Sequence, residues 1–112
     1  MAQQDQSVAI VGAGDYIGAA IARKFAAEGY QIVAGRRNGD KLAPLVEEIE
    51  AAGGRISARS LDARQPEDVT AFLAEAEALA PLALTVFNVG ANVNYPILET
   101  TDRVFRKVWE IA

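Results

Sequence analysis

Two residue types are missing altogether from this 112-residue chain, which has no cysteine and no histidine. Without cysteine there is neither a disulfide framework nor a thiolate metal site, and without histidine the commonest zinc ligand and general base are gone. Proton chemistry has to rest on other groups. Aromatic residues make up only 7% of the chain. No apolar run approaches the ~18 to 20 residues of a membrane span. Positive charge is also short: 11 Lys and Arg against 15 Asp and Glu leave a net charge of −4 and no electrostatic footprint for nucleic acid. Residues Met1 to Ser7 are polar, with no basic start and no apolar stretch, so they do not read as a secretion signal. The expectation is a soluble cytoplasmic protein that binds neither nucleic acid nor a membrane. The 51% hydrophobic and 23% charged content is that of an ordinary globular chain, and its length allows one modest core, a single domain or part of one.

Two hydrophobic periodicities alternate along the chain. Val8-Ala9-Ile10-Val11 is a short continuous apolar run, the pattern of a strand buried on both faces. From Ile17, apolar residues recur at Ala20, Ile21 and Phe25, with Ala22 and Ala26 beside them, a helical spacing closed by Gly29. Ile32-Val33-Ala34 reads as a second buried strand. Asp40 to Ala52 reads as a second helix with Leu45, Val46 and Ile49 on one side, stopped by Gly53-Gly54; Pro44 fits only in its first turn or just before it. Ile56 to Leu61 alternates weakly as a third strand. Pro66 then opens a helix, ended by Pro81, whose Val69, Phe72, Ala76 and Leu79 share a face. Leu82 to Phe87 is the most apolar stretch and a fourth strand, and Thr100 or Thr101 caps a fourth helix carrying Val104, Phe105, Val108 and Trp109. Strand and helix alternating four times predict an α/β fold, a parallel doubly wound sheet with helices on both faces. No internal repeat, linker or low-complexity segment interrupts it.

The last helix runs to Ala112 without a glycine, a basic last turn or a proline to stop it, which predicts a chain cut inside a domain. The fourth strand is apolar on both faces yet has one neighbour available. Its outer edge is therefore expected to be exposed or paired with another molecule.

The first strand leads through Gly12-Ala13-Gly14-Asp15-Tyr16-Ile17-Gly18 directly into a helix. Glycine lets the backbone turn sharply and approach a pyrophosphate, whose charge the helix N-terminus favours. The common G-x-G-x-x-G spacing would need its third glycine at position 17, where Ile17 stands; Gly18 is one residue late. The second strand ends at Gly35-Arg36-Arg37-Asn38. An NAD site wants an acid there, roughly 20 residues beyond the turn, to hold the ribose hydroxyls. No acid is present. Two guanidiniums instead suit a 2′-phosphate, whose oxygens an arginine fork matches, and predict NADP(H) over NAD(H). Asp62-Ala63 follows the third strand, where a lone aspartate serves equally well as a turn or cap residue. Asn88-Val89-Gly90-Ala91 follows the fourth.

The shifted glycine spacing resembles the T-G-x-x-x-G-x-G turn of the short-chain dehydrogenases, laid over Val11 to Gly18. Val11 stands in place of the threonine and Tyr16 in place of the middle glycine, with Gly14 available to supply the flexibility that Tyr16 removes. Asp62-Ala63 resembles the family's D-V pair, whose aspartate accepts from the adenine amino group. Asn88-Val89-Gly90 resembles its N-A-G motif, where backbone lies along the adenine and its ribose while the asparagine braces the sheet. The resemblance covers the chain from Ser7 onward and implies the first half of a Rossmann-type domain, strand order 3-2-1-4. It also implies a nicotinamide dinucleotide held by Gly12, Gly14, Asp15, Tyr16, Ile17, Gly18, Arg36, Arg37, Asp62, Ala63, Asn88, Val89 and Gly90.

The family's serine, tyrosine and lysine have no counterpart here: none of Tyr16, Tyr30 and Tyr95 has a lysine four residues later, so no catalytic residue is assigned. Ala112 falls at or near the asparagine that the family places in the fourth helix. The implied function is the cofactor half of an NADP(H)-dependent oxidoreductase acting on a small carbonyl or alcohol substrate, in a homo-oligomer, since this helix commonly packs on a partner subunit in the family. Two other readings stay open, a non-catalytic NADP(H)-binding protein and a folded fragment that binds no nucleotide.

Overall fold

Four parallel strands in the order β3-β2-β1-β4 form the sheet of a computed structural model that describes residues 4–89 and 96–111. The elements run β1 (Ser7–Val11), α1 (Ile17–Ala27), β2 (Gln31–Arg36), α2 (Ala43–Ala51), β3 (Arg55–Ser60), α3 (Pro66–Leu79), β4 (Leu82–Phe87) and α4 (Asp102–Ile111). This is the predicted α/β architecture, Rossmann-like, with the predicted strand order. β1 pairs with β2 from Ser7↔Gln31 to Val11↔Gly35, and with β4 up to Val11↔Phe87. All four strands therefore end on the same side of the sheet.

Alternation along the central strands divides the core into two layers. Val8 and Ile10 of β1 and Ile32 and Ala34 of β2 face α1 and α2, packing on Ala19, Ala22, Ala26, Leu45 and Ile49. Ala9, Val11 and Val33 face the other way, onto Phe72 and Ala76 of α3 and onto Leu61. Buried on both faces, β1 could only read as a continuous apolar run. Ser7, fully buried at its start, donates its hydroxyl to the carbonyls of Ala76 and Ala80, at 3.2 and 2.9 Å, and so ties β1 to the end of α3.

Several expectations need correction. The buried stripe of α1 is Gly18, Ala19, Ala22 and Ala26, with Ile21 and Phe25 only partly covered and Ile17 and Ala20 exposed. Ala22 and Ala26 of the predicted spacing are thus at the centre of the buried stripe and Ile21 and Phe25 at its border, because small residues let α1 lie close on the sheet. Leu79 is exposed while Phe72 and Ala76 of the same predicted face are buried. The stretch read as one helix from Asp40 starts as a 3₁₀ turn, Gly39–Leu42, with α2 proper beginning at Ala43 and Pro44 in its first turn. A second 3₁₀ turn, Ile97–Glu99, had no signal in the periodicity. Thr101 is the cap of α4, its hydroxyl accepting from the Val104 N–H at 3.2 Å. β4 has β1 as its one paired neighbour among the described residues, and Leu84 and Phe87 are exposed, as the open edge predicted. Gly90, Ala91, Tyr95 and Ala112 lie outside the described residues.

Candidate nucleotide site

The turn after β1 is built around Gly12. Its φ is +90°, and a Cβ there would stand 2.2 Å from the Asn88 carbonyl oxygen, so the position excludes every side chain. The Gly12 and Ala13 N–H groups both donate to the Gly35 carbonyl, at 2.9 and 3.0 Å, which fixes the turn against the end of β2. From the other side the Asn88 N–H donates to the Val11 carbonyl at 2.8 Å and its side-chain amide to the Gly12 carbonyl at 3.3 Å. Asn88 thus braces β4 to the turn. Gly18 is held as tightly: a Cβ would meet Ala13 Cα at 2.6 Å, so the first turn of α1 rests directly on the glycine loop. Around Gly14 the space is open, with nothing within 4 Å of where its Cβ would be. Tyr16 is the N-cap residue of α1 and is 86% exposed; no side chain caps this helix.

The strand ends enclose a groove of about 470 Å³. Gly12 and Gly14 line it from β1, Arg36, Arg37 and Asn38 from β2, Leu61, Asp62, Ala63 and Arg64 from β3, and Asn88 and Val89 from β4, with Lys41 at the start of the second crossover. Of the predicted residues, Gly12, Gly14, Arg36, Arg37, Asp62, Ala63, Asn88 and Val89 come together here. Asp15, Tyr16, Ile17 and Gly18 stand beside the groove without lining it.

The charges are partly spoken for. Arg36 Nη1 donates to Asp15 Oδ1 at 2.9 Å. Asp62 Oδ1 accepts from the Arg64 N–H at 3.0 Å and from Arg64 Nε at 3.1 Å, while its Oδ2 accepts from Arg64 Nη2 at 3.2 Å. These bonds from the Arg64 side chain and then its backbone hold the Asp62 carboxyl below its usual value, with a smaller contribution from Arg37. Asp62 therefore has the local turn role that its position allowed, and it stays ionised at the groove wall. Arg64, Lys41 and Asn38 were not singled out from the sequence. The pattern that could have found Arg64 is the aspartate two residues before it, since such a side chain bonds the backbone N–H two residues on. Asn38 makes the same turn, accepting from the Asp40 N–H at 3.2 Å.

A family model described as short chain dehydrogenase matches residues 6–112. Galactitol 2-dehydrogenase (L-tagatose-forming) of Cereibacter sphaeroides is 38% identical over 104 residues, 92% of this chain and 40% of that protein. The crystal structure of a short-chain dehydrogenase from Rhodopseudomonas palustris is 74% identical and superposes with a TM-score of 0.88, over 97% of this chain and 51% of that one. An actinorhodin polyketide ketoreductase solved with NADPH is 31% identical, with a TM-score of 0.84 over 99% of this chain and 43% of its own. The chain spans about half the length, or less, of these relatives.

Proposed function

Because the chain belongs to the short-chain dehydrogenase family, we propose that it is the cofactor-binding half of an NADP(H)-dependent oxidoreductase acting on a carbonyl or alcohol substrate. The observation that carries the preference is the end of β2, where Arg36 and Arg37 line the groove and none of Arg36, Arg37 and Asn38 is a carboxylate. A 2′-phosphate brings about 1.5 to 2 negative charges. Lys41 and Arg64 add two more cations along the same groove. A pair of ribose hydroxyls is ordinarily held by a carboxylate at the end of this strand, and two guanidiniums stand there instead.

The rest of the donor set fits a dinucleotide. The open side of Gly14 and the uncapped N-terminus of α1 suit a pyrophosphate, since the first N–H groups of a helix and its dipole favour an anion. Asp62 and Ala63 line the wall next to the end of β3, and the ionised Asp62 carboxylate is an acceptor for an adenine amino group. Bound there, the cofactor would supply the hydride, and this chain's residues would supply affinity and orientation. The serine, tyrosine and lysine that move the proton in the family have no counterpart among these residues, so the proposal gives this chain the cofactor and not turnover.

Replacing Arg36 and Arg37 together by alanine is expected to weaken NADPH binding by a few kcal/mol at most, at ~1.5 to 3 for each charge-assisted contact, and to spare NADH. Equal weakening of both cofactors in a fluorescence titration would contradict the assignment of the two arginines to the 2′-phosphate.

A further inference from the structure

The Asp15–Arg36 ion pair joins the glycine turn to the end of β2, and the nucleotide reading makes no use of it. Its two members differ in environment: the Arg36 side chain is 20% exposed and that of Asp15 is 71% exposed. The cation is fixed in the wall and its partner faces water. Asp15 lines a small crevice beside the main groove, and Lys41 lines both. Beside the basic end of the groove there thus stands a carboxylate of the chain itself, bonded to the guanidinium that ends β2.

We infer that Asp15 is a specificity-determining residue, its carboxylate competing with the 2′-phosphate for Arg36 and holding the NADP(H) preference below what Arg36, Arg37 and Lys41 would otherwise give. The inference rests on the reading that this groove takes NADP(H). NAD(H) presents a neutral hydroxyl at that place, and the pyrophosphate that both cofactors carry meets the charge on Asp15 equally, so it cancels from the ratio of their affinities. NADP(H) presents an anion, which has to share Arg36 with Asp15 or displace it. Competition for Arg36 thus weakens one cofactor more than the other.

Asp15→Asn separates charge from shape, because asparagine keeps the oxygen that accepts from Arg36 and removes the negative charge. The experiment is a parallel titration of the unmodified protein, Asp15→Asn, Arg36→Ala and the double variant with NADPH and with NADH, reading the ratio of the two dissociation constants. Asp15→Asn is expected to raise the preference for NADPH about fivefold, the upper range for an exposed ion pair. NADH affinity is expected to change less than NADPH affinity. In the Arg36→Ala background the same change is expected to do markedly less. An unchanged or reduced preference in Asp15→Asn, while Arg36→Ala still lowers it, overturns this inference and leaves the nucleotide reading standing. Parallel weakening of both cofactors also overturns it, by making Asp15 a residue of the turn alone. If neither the unmodified protein nor Asp15→Asn favours NADPH, both readings fall together.

Discussion

Gly12 is the residue on which the site depends most. A side chain there would need a left-handed backbone and would collide with the Asn88 carbonyl, so two independent penalties act on one position. Gly12→Ala is expected to lower stability by at least ~1 to 3 kcal/mol, measured as a shift in the denaturant midpoint. Gly14→Ala meets no neighbour within 4 Å and is expected to leave that midpoint nearly unchanged. Asp62 gives a pH-dependent prediction. Its carboxyl is held below the ordinary value of 3.8 by Arg64, so its ionised form stabilises the fold above that pH, and the contribution fades as pH falls through the lower folded value. The stability gap between the unmodified protein and Asp62→Asn should accordingly close on acidification below 3.8; a gap independent of pH would remove the ionic role. At this scale the sequence made the glycine turn and the arginine pair legible, because backbone sterics and charge act at fixed positions along the chain. It did not reveal Lys41 or Arg64, whose place in the groove follows from loop paths that periodicity does not encode. It was equally silent on the Asp15–Arg36 pair, whose members are 21 residues apart and meet only through the β1–β2 register.

The elements were largely readable, and the exceptions share a cause. Continuous apolar runs marked β1, β2 and β4, and Pro66 and Pro81 bracketed α3, since these signals are local. Which face of a helix is buried depends on what it packs against. In α1 the covered stripe is made of Gly18 and three alanines, and the larger Ile17 projects into solvent. In α3 the sheet covers Phe72 and Ala76 but not Leu79. Phe72→Ala is expected to cost ~3 to 5 kcal/mol of unfolding free energy, whereas Leu79→Ala should stay within about 0.5. Comparable costs at the two positions would place α3 on the sheet by a different face.

Across the whole molecule, apolar surface is unevenly distributed. Leu79 is exposed at the end of α3, Leu84 and Phe87 on β4, and Phe105 and Trp109 on α4. An edge strand with no second paired neighbour among the described residues, together with exposed aromatics on β4 and on α4, favours association, so light scattering is expected to show mass above that of one chain, growing with concentration. A strictly monomeric species at all concentrations would count against the homo-oligomer. Among the described residues no helix is long and apolar enough to cross a membrane. The sheet brings the glycine turn, the β2 arginines, Asp62 and Asn88 to one groove because all four strands are parallel and end together. The claim that this groove is built for a phosphorylated dinucleotide is tested most directly by titrating the protein with NADPH and NADH under identical conditions. The account predicts the tighter dissociation constant for NADPH; NADH binding at least as tightly, or no binding of either, would contradict it.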